Sequence, residues 1–177
     1  MVDEDARLVA LARSGDADAF EQLVRRHQVT VYRVSVRLLD NPADAEDAAQ
    51  DAFLQAWRGL QRFRSGSTFS TWLYRIVTNR CLNFLRSRRR SAEMLEDPPA
   101  PAETGPAQLS EVRAQLTALQ AALAGLTPEQ RAAFVLRHLE GCSHEQIAQA
   151  LDISVPAVKS RLHRARVQLL QAMGEWA

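Results

Sequence analysis

Between Val155 and Leu170 the sequence VPAVKSRLHRARVQLL carries Lys159, Arg161, Arg164 and Arg166, with Ser160 and His163 among them and no acid before Glu175. These residue types suit phosphate oxygens, which attract Lys and Arg, and base edges, which exchange hydrogen bonds with Ser, His and Arg. A second group offers similar chemistry. Arg75, Asn79 and Arg86 recur at helical spacing, with Trp72, Thr78 and Asn83 at the margins of the strip and Arg88, Arg89 and Arg90 extending it. Amides beside guanidiniums fit base edges and phosphates together. Aromatic side chains near the loop RFRSGST fit stacking on unpaired bases, while Trp72 and Tyr74 by themselves fit a core role at least as well. A third group has the opposite sign: Asp44, Asp47 and Asp51, with Gln50 and Leu54 between them. Those acids repel phosphate, so a basic or mixed protein surface is their natural partner.

Net charge is only +1, but the charge is segregated. Residues 1–56 hold eleven acids against six Arg, 57–90 nine Arg and no acid, and 91–154 nine acids against three Arg. Two separated basic blocks imply a polyanion touched at two places. Other chemistries lack their parts. His27 falls on a core face, and His138, His144 and His163 lack ligand spacing. Cys81 and Cys142 form no CxxC pair and have no base beside them, and no glycine-rich phosphate loop occurs. No metal, cofactor or enzymatic activity is therefore expected. Two cysteines cannot make a disulfide framework, which fits a reducing cytoplasmic setting. The acidic start MVDEDARLVA and the absence of a long apolar run predict neither export nor membrane insertion.

The elements that must position these groups read as helices throughout. Phe20, Leu23, Val24, His27, Val31, Val34 and Leu38 recur at three- and four-residue steps. Asn41 and Pro42 open a second helix as N-cap and first helical residue. On its wheel Ala45, Ala49, Ala52, Phe53, Ala56 and Leu60 share one face. Asp44, Asp47, Gln50, Asp51, Leu54 and Arg58 share the other. A third helix is predicted from about Thr68 to Arg88, burying Phe69, Leu73, Ile76, Val77 and Phe84. The stretch 91–110, SAEMLEDPPAPAETGPAQLS, reads as a flexible linker. Beyond it, Thr127 with Gln130 and Ser143 with Gln146 form capping boxes, and Gly141 ends the helix between them. Two short helices joined by the turn DIS make a helix-turn-helix. Ile147, Leu151, Ile153, Val158 and Leu162 are its anchors. In the last helix Val155, Val158, Leu162, Ala165 and Leu169 form an apolar arc. Pro156, Ser160, His163, Arg164 and Val167 lie opposite, flanked by Lys159, Arg161 and Arg166. The expected fold is all-α, with two small domains at 1–90 and 111–177 joined by the 91–110 linker.

The stretches NPADAEDAAQDAFLQAW, RFRSGSTFSTWLYRIVTNRCLNFLRSRRR and LTPEQRAAFVLRHLEGCSHEQIAQALDISVPAVKSRLHRARVQLL occur in that order. Together they resemble the bacterial sigma factors of the extracytoplasmic-function (ECF) group of the sigma-70 family, over nearly the whole chain outside the linker. The resemblance implies a region 2 domain at 1–90 and a region 4 domain at 111–177 that dock on RNA polymerase core and direct promoter-specific initiation. It implies contacts with the largest subunit's coiled coil through Asp44, Asp47, Gln50, Asp51, Phe53 and Leu54, and contacts with the flap. It assigns capture of a −10 base to Phe63, Arg64, Ser65, Ser67, Arg75, Asn79, Asn83 and Arg86. It assigns the −35 element to Lys159, Ser160, Arg161, His163, Arg164 and Arg166. An anti-sigma partner is also implied. With no further domain expected after Trp176, control is expected to come from separate proteins. Two departures stand out: Asp152 occupies a turn position where relatives often have glycine, and Ser67 stands where they often have an acid. The residues by themselves leave open a self-sufficient helix-turn-helix regulator, with residues 1–90 as a sensing or dimerisation module. An enzyme acting on nucleic acid lacks its metal ligands and its acid/base pair.

Overall fold

The structure, a computed structural model, describes residues 2–63, 66–94, 121–123 and 125–174. Those residues form helices and turns, with no strand among them. The N-terminal part comprises α1 (Val2–Arg13), α2 (Ala17–Leu39), α3 (Pro42–Gly59), a 3₁₀ turn at Leu60–Arg62, and α4 (Phe69–Met94). The C-terminal part comprises α5 (Pro128–His138), α6 (His144–Leu151) and α7 (Val155–Gly174), preceded by helical residues 121–123.

The helix boundaries follow local chemistry. The Asp16 carboxylate accepts from the Ala19 N–H at 3.0 Å and starts α2. Asn41 Oδ1 accepts from the N–H groups of Ala43 and Asp44 at 2.9 and 3.1 Å, and Pro42 follows where a missing N–H costs nothing. Both predicted capping boxes form, at Thr127/Gln130 and at Ser143/Gln146. Gly141 turns the chain at φ +66°. Asp152 takes the left-handed conformation at φ 54°, so the helix-turn-helix turn closes without glycine.

Two elements differ from expectation. No helix bounds were predicted over α1, although seven of its twelve residues are apolar, and Leu8, Val9 and Ala12 are buried. α4 continues to Met94, beyond the expected end near Arg88 and into the stretch assigned to the linker. SAEM contains no helix breaker, and Arg89 pairs with Glu93 one turn on at 2.8 Å. The rest of that linker lies outside the described residues.

Leu8, Leu23, Val31, Val34, Leu38, Leu73 and Val77 are fully buried at the centre of the N-terminal part. Five buried alanines on α3, Ala45, Ala48, Ala49, Ala52 and Ala56, give it a flat face against which α2 and α4 pack. That leaves the larger and charged α3 residues turned outward. In the C-terminal part Ile147, Val158, Val135 and Leu136 are fully buried. The two parts are docked: α4 packs on α6 and α5, α2 packs on α5, and one apolar core runs from Leu8 to Leu162. No helix among the described residues is long and apolar enough to cross a membrane.

Candidate nucleic-acid interface

The cationic surface of α7 is built by its own buried stripe. Val158, Leu162, Ala165 and Leu169 are buried, which fixes the helix rotation. Lys159, Ser160, His163, Arg164 and Arg166 are consequently exposed, and Arg161 is half-buried at the edge. The helix begins where the Ser154 hydroxyl accepts from the Ala157 N–H at 3.3 Å. Ile153 anchors the turn through its N–H, donated to the Ala148 carbonyl at 3.0 Å. Arg164 Nη2 donates to Ser160 Oγ at 3.0 Å, and its Nε donates to the Ser160 carbonyl at 3.4 Å. These bonds hold the guanidinium on the outward strip. No salt bridge engages Lys159, Arg161, Arg164 or Arg166 among the described residues, so their charge is available to an anion. Nearby, burial lowers the pKa of His138, with Arg166 and Arg137 adding to the effect, so its imidazole favours the neutral form.

α4 presents Arg75, Asn79, Asn83 and Arg86 along one exposed strip, in the order the periodicity predicts. Arg86 Nη1 donates to Asn83 Oδ1 at 3.3 Å. Thr78, placed at the margin of this strip by spacing, is instead fully buried, and its hydroxyl donates back to the Tyr74 carbonyl at 2.6 Å. The neighbouring helices close over that position, which a single-helix wheel cannot show. At the start of α4, Phe63, Phe69 and Trp72 pack on one another with ring centres 5.0 to 6.2 Å apart. Phe63 and Trp72 are therefore half-buried members of one aromatic cluster. Ser67 is half-buried and lines a cleft of about 870 Å³ with Thr68, Ser70 and Tyr74. Arg64 and Ser65 lie outside the described residues.

The floor of that cleft holds a polar group that sequence reasoning missed. Asp5 of α1 accepts from Arg26 Nε at 2.8 Å and pairs with His27 Nε2 at 2.8 Å. The His27 ring also packs on Phe69, 5.4 Å between centres. This triad ties α1 to α2 beneath the loop that precedes α4. Asp5 stands more than twenty residues from both partners, so only the fold reveals the link.

The acidic face of α3 is sorted by its neighbours. Asp47 and Gln50 are exposed, and Leu54 is 53% exposed. Asp51 pairs with Arg80 at 2.5 Å, and Asp44, half-buried, lies 3.9 Å from Arg88. Phe53 packs against the core while still lining a shallow groove with Val24, Val29, Tyr32 and Ala49. Val29 is 67% and Tyr32 40% exposed, an apolar extension of this face beyond the residues that spacing selected. Their signal was present in the sequence as large apolar residues on the polar side of α2. No group of three or more His, Cys, Asp or Glu among the described residues could hold a metal ion. Cys81 and Cys142 are buried, and burial pushes each thiol up to about 11.

The sigma-70 region 2 family matches residues 23–91, and the sigma-70 region 4 family matches residues 116–169. The chain is 40% identical to an ECF RNA polymerase sigma factor, SigE of Mycolicibacterium smegmatis, over 174 residues. That match covers 94% of this chain and 67% of the relative. Among solved structures, CnrH in complex with the cytosolic domain of CnrY matches with a TM-score of 0.76 at 29% identity, covering 98% of this chain and 99% of the other. The sigma factor RpoE of Bartonella quintana, solved with the anti-sigma factor NepR, matches with a TM-score of 0.72 at 26% identity, covering 88% and 96%.

Proposed function

The chain belongs to the ECF sigma factors, which bind RNA polymerase and direct initiation at particular promoters, and from that premise we propose how its surfaces divide the task. α7 reads the −35 element in the major groove. Ser160, His163 and Arg164 face base edges, while Lys159, Arg161 and Arg166 grip the flanking phosphates. α4 and the loop from Phe63 to Thr68 take the −10 element, with Arg75, Asn79, Asn83 and Arg86 around a base drawn out of the stack. Arg64, Ser65 and Ser67 belong to the same loop. Unstacking a base costs a few kcal/mol, recovered from the contacts that hold it. Asp44, Asp47, Gln50, Asp51, Phe53 and Leu54 face the coiled coil of the largest polymerase subunit, and the C-terminal part meets the flap.

The observation that carries this reading is the exposure pattern of α7: four cations on or beside the outward strip that form no salt bridge among the described residues, and four apolar residues buried on the other side. Residues 1–90 and 111–177 act as the two functional units. α4 already carries the chain to Met94, and the sixteen residues from 95 to 110 reach a further roughly 55 Å as extended chain. The helical parts themselves supply the rest of the about 70 Å between promoter elements two helical turns apart. The chain works by binding, without turnover, metal or cofactor of its own, in the cytoplasm where polymerase acts. An anti-sigma protein is its natural regulator, in line with the complex of RpoE with the anti-sigma factor NepR. The test is run-off transcription by purified polymerase core over a genomic promoter library, with and without this chain. A new set of starts that depends on the chain supports the reading. Unchanged promoter choice overturns it.

A further inference from the structure

The cleft of about 870 Å³ floored by Asp5, Arg26 and His27 has the size of a small-ligand site, and one of its donor groups is still open. Arg26 engages only its Nε, donated to Asp5 at 2.8 Å. Neither of its terminal nitrogens forms a hydrogen bond or ion pair among the described residues. The acids around it are already occupied. Asp5 pairs through its second oxygen with His27 at 2.8 Å, and Glu4 accepts from Arg7 at 2.8 Å. The Asp5 side chain is 14% exposed and that of Arg26 35%, so the carboxylate is sheltered while the guanidinium it holds stays accessible. The hydroxyls of Thr30 and Ser67 line the same cleft and form no hydrogen bond among the described residues.

Position on α4 separates this cleft from the strip assigned to base capture. Ser70 and Tyr74 border the cleft, whereas the strip runs through Arg75 and Asn79. At 100° per residue Ser70 and Asn79 stand about 180° apart around the helix, and Tyr74 and Asn79 about 140°. One base cannot occupy both sides. Ser67 and Thr68, the end of the loop assigned to the −10 element, form part of the cleft wall.

The open fork of Arg26 sets what it can read. A bond at Nε leaves Nη1 and Nη2 free to donate two parallel hydrogen bonds, so the group selects two adjacent acceptors. Guanine offers O6 and N7. An unpaired cytosine offers O2 and N3. Adenine places an amine beside each acceptor of its outer edges, and thymine separates its two oxygens by an N–H. We propose that the cleft receives a second unpaired nucleotide of the same promoter strand, and that Arg26 reads it as guanine or cytosine against adenine and thymine. Asp5 is the positioning residue that holds the fork. The proposal rests on the assignment of the 63–68 loop to the −10 element.

The test uses polymerase core reconstituted with the full chain, on a promoter selected by that holoenzyme and pre-opened by mismatches across the −10 segment. Each position of the unpaired strand is varied through the four bases. One position is expected to favour guanine or cytosine over adenine and thymine by about fivefold or more in affinity. Analogues identify the edge. If guanine is favoured, inosine, which keeps O6 and N7, should match it, and 7-deazaguanine should fall to the adenine level. If cytosine is favoured, 3-deazacytosine should fall in the same way. Arg26→Lys keeps the charge without the fork, and Arg26→Gln removes both. Each should bring the preference down to about twofold or less. Asp5→Asn, which weakens the hold on Nε at constant size, should lower the preference at that position alone. No preference at any position, or one that survives Arg26→Lys, overturns the proposal. Equal weakening on all four bases by Arg26→Gln, recovered by Arg26→Lys, marks a phosphate contact and overturns the base reading. An undiminished preference in Asp5→Asn overturns the positioning role. A chain that brings polymerase to no promoter defeats the −10 assignment instead, before any base preference is measured.

Discussion

Replacing Lys159, Arg161 and Arg166 together by Gln separates the two kinds of contact assigned to α7. None of the three forms a salt bridge among the described residues, and they flank the strip that carries Ser160, His163 and Arg164. If each holds one phosphate, each contributes about 0.9 to the slope of log K against log salt. The triple variant should therefore lower that slope by about 2.7. Between 0.1 and 0.3 M salt the affinity gap between wild type and variant should narrow about twentyfold. Arg164→Ala should behave differently. Ser160 holds its guanidinium on the outward strip proposed to face the groove, so its loss should cost about 1–3 kcal/mol at one base position and leave the slope nearly unchanged. The assay is holoenzyme binding to a promoter duplex selected by that holoenzyme from genomic fragments, across a salt series and a set of single-base substitutions. Arg25→Gln, which removes a cation paired to Glu21 on exposed α2 surface, is the control and should leave both quantities alone. An unaltered slope in the triple variant refutes the placement of phosphates along the flanks. Uniform weakening on every sequence by Arg164→Ala refutes its role as a base reader.

The acids of α3 should not be equivalent. Asp51 is already paired with Arg80 whereas Asp47 is exposed without an ion pair among the described residues, so Asp47→Asn should weaken polymerase-core association more than Asp51→Asn, by about 1 kcal/mol or roughly fivefold, as read by fluorescence titration. Ile147→Ala should destabilise the chain by about 2–4 kcal/mol, because Ile147 is fully buried under the helix-turn-helix, and denaturant unfolding measures this. Ser143→Ala removes a capping box and should cost about 1 kcal/mol in the same experiment. Cys81 and Cys142 should resist alkylation at pH 8 in the native state and react on unfolding, since burial holds both thiols up at about 11. The raised values favour the neutral thiol in the fold, so stability is fully present below the ordinary value of 9.0 and falls as pH rises from there toward about 11.

Features written in neighbouring residues could be read from the chain directly. Caps at Asn41, Thr127 and Ser143 depend on groups two or three residues apart, and the structure contains all three. The rotation of α7 depends on one stripe of apolar residues, and that stripe is buried as the wheel requires. Features created by tertiary contact were not legible. α1 carries apolar residues whose burial depends on packing against α2, the 3₁₀ turn and α4. The Asp5–Arg26–His27 group joins two helices, and periodicity within either one says nothing of the other. Thr78 looks marginal on its own helix and is sealed by neighbours. The docking of the C-terminal part was not visible in the charge count: residues 91–154 showed nine acids against three Arg, and only the fold turns Glu129, Glu140 and Asp152 onto arginines.

The placement of cations on α4 explains how a promoter-reading protein can carry a net charge of only +1. Arg80 and Arg88 turn toward the acids of α3, while Arg75 and Arg86 meet acids of the C-terminal part. A strongly cationic free chain would bind any duplex through phosphate contacts, at the expense of promoter choice. Internal acids suppress that binding at little cost, because exposed pairs exchange readily for phosphate. The α7 cations remain open, but alone they supply one cluster of contacts. With α4 and α7 as the proposed readers, tight binding requires both at once, a condition that polymerase can meet by holding the two parts at the spacing of the promoter elements. Specificity arises from the geometry of the assembly more than from the affinity of either surface, and the acids that lower the net charge help to keep it so.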